Sequence, residues 1–333
     1  MTGATLSERR TRSRGGLIGL AIVALAGIVL PFASAGQPFL LMLASHALIA
    51  AILALSLDML TGNTGLLSFG HAAWFGFGSY VAGLLSKSAS SDIVVLSLLT
   101  LAATVLVAGV IGAVLVRQIG KTFAILTLAL SQIMFAIVFV FSDITGGEDG
   151  LHGIPMATFL GMQIVSPTTW YAILLVALLL ALAGALHLRR SPLGRAWLAI
   201  RENGERARFI GMNVNKLKLM SYVISAGLAS LAGVLFVLFN GATSPDLLHW
   251  LESGKVLMYV VLGGVGTIFG PVIGAVVFTL AEHYVSTFTD AWLIYFGALF
   301  VLIVIVAPGG LFGGAARIAE RLSARKSGRR TAQ

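Results

Sequence analysis

The chain contains no cysteine. Disulfides, thiolate nucleophiles and cysteine-ligated metal sites are therefore excluded. Charge is nearly as scarce: Asp, Glu, Lys and Arg make up only 11% of the residues, where a water-soluble domain carries about 25%. Acidic charge is the scarcer sign, with 13 acids against 22 lysines and arginines and a formal net charge of +9. With 58% hydrophobic residues arranged in long runs, the chain reads as a polytopic membrane protein and not as a soluble domain. The basic excess sits in the N-terminal tail, one central loop and the C-terminal tail. It reports topology and contact with anionic membrane lipid. No aromatics interleave with it, so no nucleic-acid partner is expected.

The usual catalytic patterns are also missing. Gly120-Lys121-Thr122 looks like the end of a phosphate-binding loop, but Leu115 stands where the earlier glycine is required, and the triplet lies between two apolar runs. No His-Glu-x-x-His spacing occurs, and His46, His71, His152, His187, His249 and His283 are scattered. No Gly-x-Ser-x-Gly elbow exists. No catalytic residue, metal site or cofactor is expected. Carboxylates are nearly absent from the centres of the apolar runs, with Asp58 and Glu282 near their ends. That scarcity argues against a proton-coupled carrier.

What is there is a series of apolar runs. A crossing helix needs about 20 residues. The sequence predicts an all-α bundle with about eight full spans, at 17–35, 38–60, 66–86, 93–116, 122–141, 169–188, 219–240 and 291–307. Arg9, Arg10, Arg12 and Arg14 before the first run, with Ala33-Ser34-Ala35 after it, also fit a cleaved signal peptide. An uncleaved first span with its N-terminus inside fits the same residues. Arg117 and Lys121 put their connection inside, whereas segments 142–168 and 242–253 carry acids and no Lys or Arg and are expected outside.

Segment 254–282 must enter and leave on one face if 291–307 runs inward to a basic tail. Gly263-Gly-Val-Gly-Thr-Ile-Phe-Gly-Pro271 interrupts it. Gly263, Gly264, Gly266, Gly270 and Pro271 break a helix. Irregular backbone within a membrane belongs beside protein or a water-filled path. The expectation is a re-entrant, broken helix along a translocation path. Thr61-Gly-Asn-Thr-Gly-Leu-Leu-Ser-Phe-Gly-His71 reads as a second break, and Phe69-Gly70 echoes Phe269-Gly270. Paired breaks often mark a transporter's substrate site, although chance also explains so short an echo. Ser68 is a cap or a ligand. Gly70, Gly76 and Gly78 fit close helix packing as well. His71 is either a path residue or a histidine satisfying backbone freed by the break.

The central polar loop runs from Arg189 to Lys218. Trp197, Leu198 and Ile200 stand as apolar points among its charges, as on a helix resting against something. Such a helix on the cytoplasmic side would offer a docking place to a soluble partner.

Five segments, in order, resemble one family. They are Gly65-Leu-Leu-Ser-Phe-Gly-His-Ala-Ala-Trp-Phe-Gly-Phe-Gly-Ser-Tyr80, Thr145-Gly-Gly-Glu-Asp-Gly-Leu-His-Gly-Ile-Pro155, Ser191-Pro-Leu-Gly-Arg-Ala-Trp-Leu-Ala-Ile-Arg-Glu-Asn203, Gly211-Met-Asn213 and Val261-Leu-Gly-Gly-Val-Gly-Thr-Ile-Phe-Gly-Pro-Val-Ile-Gly-Ala275. Over roughly residues 40–312 the chain resembles the permease subunit of branched-chain amino acid ABC importers, the LivM type. The resemblance implies a pore shared with a second permease subunit (LivH type) and two cytosolic ATPases (LivG and LivF type). It also implies a periplasmic or lipid-anchored substrate-binding protein. It makes the loop the coupling helix, with Ser191, Pro192, Gly194, Arg195, Arg201, Glu202 and Asn203 in or near the ATPase groove and Trp197 and Leu198 as apolar bulk there. Two positions depart from the family's pattern: Gly204 replaces a common Glu, and Leu66 replaces a common Gln. Related permeases carry urea, short amides or aromatic acids. The implied layout is a basic tail at 1–16, a permease domain at 17–311 containing the loop at 189–218, and a basic tail at 312–333, in the bacterial inner membrane with both termini cytoplasmic. An ion-coupled secondary transporter is the alternative.

Overall fold

The computed structural model describes residues 6–33, 37–118, 120–289, 291–306 and 309–311. Ser34 and Ala35 of the expected cleavage site and the whole expected C-terminal tail (312–333) lie outside the described residues. The described chain forms helices α1 (Leu6–Ala33), α2 (Pro38–Thr64), α3 (His71–Ser88), α4 (Ile93–Leu115), α5 (Lys121–Val140) and the single turn α6 (Ser142–Thr145). After a short antiparallel hairpin, β1 (Thr158–Phe159) with β2 (Met162–Gln163), come α7 (Pro167–Arg190), α8 (Pro192–Phe209), α9 (Val214–Asn240), α10 (Trp250–Gly263), α11 (Phe269–Ser286) and α12 (Trp292–Val306).

Six of the described helices, not eight, are long and apolar enough to cross a membrane: α2, α4, α5, α7, α9 and α11. Three expected spans fall short. The 66–86 run starts its helix at His71, and α3, though as long as α11, is not apolar enough to count as a crossing helix. Among the described residues, the apolar stretches of α1 (Ile18–Pro31) and α12 (Leu293–Leu302) are shorter than a crossing needs. One qualifying helix, α11, lies in the segment expected to re-enter.

Local chemistry sets the ends. Pro38, Pro167 and Pro192 open their helices at the first turn, where a missing N–H costs nothing. The Asp92 carboxylate accepts from the Val94 and Val95 amides at 2.9 and 3.4 Å and caps α4. Helix α4 also shows the membrane pattern plainly. Thr100, Thr104, Ala108 and Gly112 recur every four residues on its buried face, while Leu106, Val110 and Val114 are about two-thirds exposed on the other. Small residues inside and large apolar ones outside invert the soluble-protein rule and suit a lipid surround.

Helix α9 is the central post, with α2, α3, α4 and α8 packed on it. Its close neighbour is α3: a side chain added at Gly78 would strike the Ser230 backbone, so Gly78 serves packing. Gly76 faces Leu248 in the same way.

Arg117 and Lys216 line one cavity of about 400 Å³, Gly16 abuts Arg190, and Gly309 and Gly310 after α12 meet Gly264. The two acidic segments meet each other: Leu151 and Thr243 exchange backbone hydrogen bonds of 2.9 and 3.0 Å.

Candidate functional site

Helix α8 begins at a built corner. Ser191 Oγ accepts from the Gly194 amide at 3.2 Å and donates to the Leu188 carbonyl at 2.6 Å. Gly194 is buried where any side chain would strike Leu188 and Arg189, so this glycine allows α8 to turn off α7. Pro192 and Arg195 are exposed, and Arg195 reaches back to the Arg190 carbonyl at 3.3 Å. Asn203 leaves helical geometry (φ −158°, ψ 100°) and kinks α8. Its side chain then caps the last turns by accepting from the Arg206 amide at 2.9 Å.

One expectation for this helix is overturned. Trp197 is fully buried, and its indole N–H donates to the Leu217 carbonyl at 2.8 Å. It fastens α8 to the base of α9 and offers no bulk to an outside groove. The exposed apolar groups are instead Phe209 and Ile210 at the helix end, 88% and 68% exposed.

The first break joins α2 to α3. Gly65 ends α2 in the left-handed conformation. The Phe69 amide donates to Thr127 Oγ1 at 3.0 Å, and the Gly70 amide to Ser68 Oγ at 3.2 Å. Gly70 sits against the Thr127 carbonyl, leaving no room for a side chain. His71 is buried in the core. Its Nε2 contacts Ser225 Oγ at 2.6 Å, and Ser225 donates onward to the Ser56 carbonyl at 2.5 Å. The histidine thus links α3, α9 and α2.

The second break is the tip of a hairpin. Helices α10 and α11 pack along each other, with Gly263 so close to Gly270 that a side chain would overlap its carbonyl. Rings of Tyr259 and Phe278 meet at 4.9 Å farther along. Both free ends of the hairpin therefore lie toward one end of the bundle. At the tip Gly264 (φ 114°), Gly266 (φ 82°) and Ile268 (φ 62°) are left-handed, and the β-branched Ile268 is the strained point. Thr267 Oγ1 accepts from the Gly270 amide at 3.1 Å, and Pro271 is buried in the first turn of α11.

The two breaks and α8 converge. Asp58, buried in α2, accepts from the Gly266 amide at 2.5 Å. Arg201 of α8 donates to the Gly62 carbonyl, and its stem lies against Gly65. Its guanidinium also borders Gly266. Glu202, beside it, is exposed and makes no hydrogen bond or ion pair among the described residues. Asp58 is the residue that sequence reasoning passed over. Its only signal was a carboxylate seven residues before a glycine break.

Residues 39–308 match the family described as the permease component of the branched-chain amino acid transport system. The chain belongs to that family. It is 31% identical over 294 residues to the high-affinity branched-chain amino acid transport permease LivM of Salmonella typhimurium, covering 81% of this chain and 69% of that one. It is 28% identical to LivH of the same organism, covering 79% and 91%. A shorter match, 32% over 181 residues, is to the autoinducer 2 import permease LsrC of Klebsiella pneumoniae, covering 52% and 50%. No solved structure matches. The permease homologues and the six span-like helices identify a multi-pass transport permease.

Proposed function

We propose that this chain is one of two membrane subunits of an ATP-driven importer of branched-chain or related hydrophobic amino acids. The end carrying α8 faces the cytoplasm, as do both termini by the basic charge of their sequence. Two cytosolic ATPases dock on α8 by its exposed residues Pro192, Arg195, Glu202, Phe209 and Ile210. A periplasmic or lipid-anchored binding protein docks on the paired segments 142–168 and 242–253. A second permease subunit completes the pore.

The observation that carries this reading is Arg201. One side chain of the docking helix bonds the end of α2 and borders the α10–α11 tip. Movement of α8 under ATPase closure is thereby passed to both breaks, a two-state element biased from outside the membrane. Solute class rests on the LivM and LivH relatives. LsrC, whose name concerns a different solute, supports the same machine with another cargo.

The test separates the two neighbours in α8. Glu202→Ala lowers recovery of ATPases that co-purify with the tagged chain. Arg201→Ala retains them but loses ATP-driven leucine uptake by at least about tenfold, the loss of a charge-assisted hydrogen bond. A chain that purifies without ATPases and moves leucine into liposomes without ATP is a secondary transporter, and the proposal is then wrong.

A further inference from the structure

A cavity of about 440 Å³ lies along α10 and α11 at the far end from the hairpin tip. It falls within the roughly 300–1,000 Å³ usual for small-molecule sites. Lys255 lines it and is shared by two carboxylates, Glu252 at 2.6 Å and Glu282 at 3.3 Å. All three side chains remain about a fifth exposed. The hydroxyl of Thr279 is buried on the same wall and has no hydrogen-bond partner among the described residues. Leu53 and Phe236 contribute the apolar side.

Ionisable groups on membrane helices are rare and costly, and they mark solute paths by default. Among the described residues two acids share one lysine here, with His46 and His283 on the same lining. The anchoring charges face an apolar wall across a cavity of amino-acid size. We propose that this cavity binds a zwitterionic hydrophobic α-amino acid. The ammonium takes Glu282 or Glu252, the carboxylate takes Lys255 and the idle Thr279 hydroxyl, and the side chain lies on Leu53 and Phe236. This rests on the proposed function, and assigns the solute a place in this subunit. The site is about 14 Å along α10 from Gly264, at 1.5 Å per residue. The same hairpin therefore touches solute at one end and Arg201 at the other.

The test uses the full-length chain with its accompanying subunits, in lipid nanodiscs and without the binding protein. Saturation-transfer NMR compares L-leucine with 3-methylbutylamine, which lacks the carboxylate, and 4-methylpentanoate, which lacks the ammonium. Leucine binds best and the acid worst. Lys255→Met weakens leucine about ten- to hundredfold, and Thr279→Val, nearly isosteric, about two- to tenfold. Thr279→Val decides the matter if Lys255→Met does not assemble. Amine binding equal to leucine, or leucine binding unchanged in Thr279→Val and any assembled Lys255→Met, overturns the site; so does absence of leucine binding to the wild type. ATP-driven leucine uptake in cells is measured separately. Uptake with unaltered binding in these variants removes the site and leaves the importer standing. Variant-sensitive binding without ATP-driven uptake does the reverse.

Discussion

The break between α2 and α3 is held at its α3 side by neutral hydrogen bonds inside the core and takes one charged bond, from Arg201 to the Gly62 carbonyl, at its α2 end, whereas the α10–α11 tip is held by the Asp58 carboxylate and bordered by Arg201. At the first, Thr127, Ser225 and the Ser56 carbonyl fix Phe69 and His71, and α2 and α3 each pack on α9. At the second, three left-handed residues are pinned by the Asp58 carboxylate and bordered by Arg201. Neutral buried bonds resist change with little dependence on their surroundings. A strained tip held by charged groups is a better moving part, because shifting one guanidinium alters its anchoring. The comparison teaches that two similar glycine-rich stretches differ in use: the His71 side of the first is a fixed corner, and the second is a movable latch.

The hardest blow to the latch is Gly263→Leu. Overpacking costs about 1–3 kcal/mol, and here it falls on the Gly270 backbone, which cannot move aside while the hairpin stays closed. Leucine uptake drops to background, and the membrane-inserted fraction drops with it on a quantitative blot. Wild-type uptake from a well-inserted variant would show that the hairpin opens freely at its tip.

Next in size is Asp58→Ala, which strips the Gly266 amide of its acceptor and leaves Arg201 beside an empty site. A hydrogen bond to a charged group is worth about 1.5–3 kcal/mol, so uptake falls tenfold or more. Asp58→Asn restores a neutral acceptor and recovers most of it. The latch reading requires uptake to fall further than the melting temperature explains. Proportional losses would make Asp58 merely structural.

Ser225→Ala strikes the fixed corner. It removes the partner of His71 Nε2 at a cost of about 1–3 kcal/mol for a buried polar group left unpaired. Thermal melting in detergent shifts accordingly, and uptake per folded molecule stays within about twofold of wild type. A large fall in uptake per folded molecule would erase the distinction between corner and latch.

Much of this was legible in the sequence. The apolar runs gave the membrane class and the order of the helices. Gly263–Pro271 announced a break through residues that no helix interior favours, and Gly65–Gly70 announced the other. Position in the bundle was not legible. Nothing local says that Gly266 meets Asp58, more than 200 positions away. The count of eight spans is not matched by the six described candidates, partly because α3 has the length of a span but not its apolarity. Trp197 misled because an aromatic among charges looks the same whether it faces a partner or its own next helix. Glu282 stood out only as a terminal acid until Lys255 and Glu252 were brought beside it.

The smallest expected effect concerns that tryptophan. Trp197→Phe keeps most of the buried ring and loses only the indole donor to the Leu217 carbonyl. A neutral hydrogen bond contributes about 0.5–1.5 kcal/mol, and the unpaired carbonyl retains access to the first turns of α9. Melting falls by a few degrees, ATPases still co-purify and uptake stays within about twofold. Were Trp197 part of the docking face, ATPase recovery would drop while melting stayed put. The two measurements thus separate a side chain that fastens α8 from one that receives a partner, and through it decide whether force from the ATPases enters at the exposed residues of α8 and leaves by Arg201.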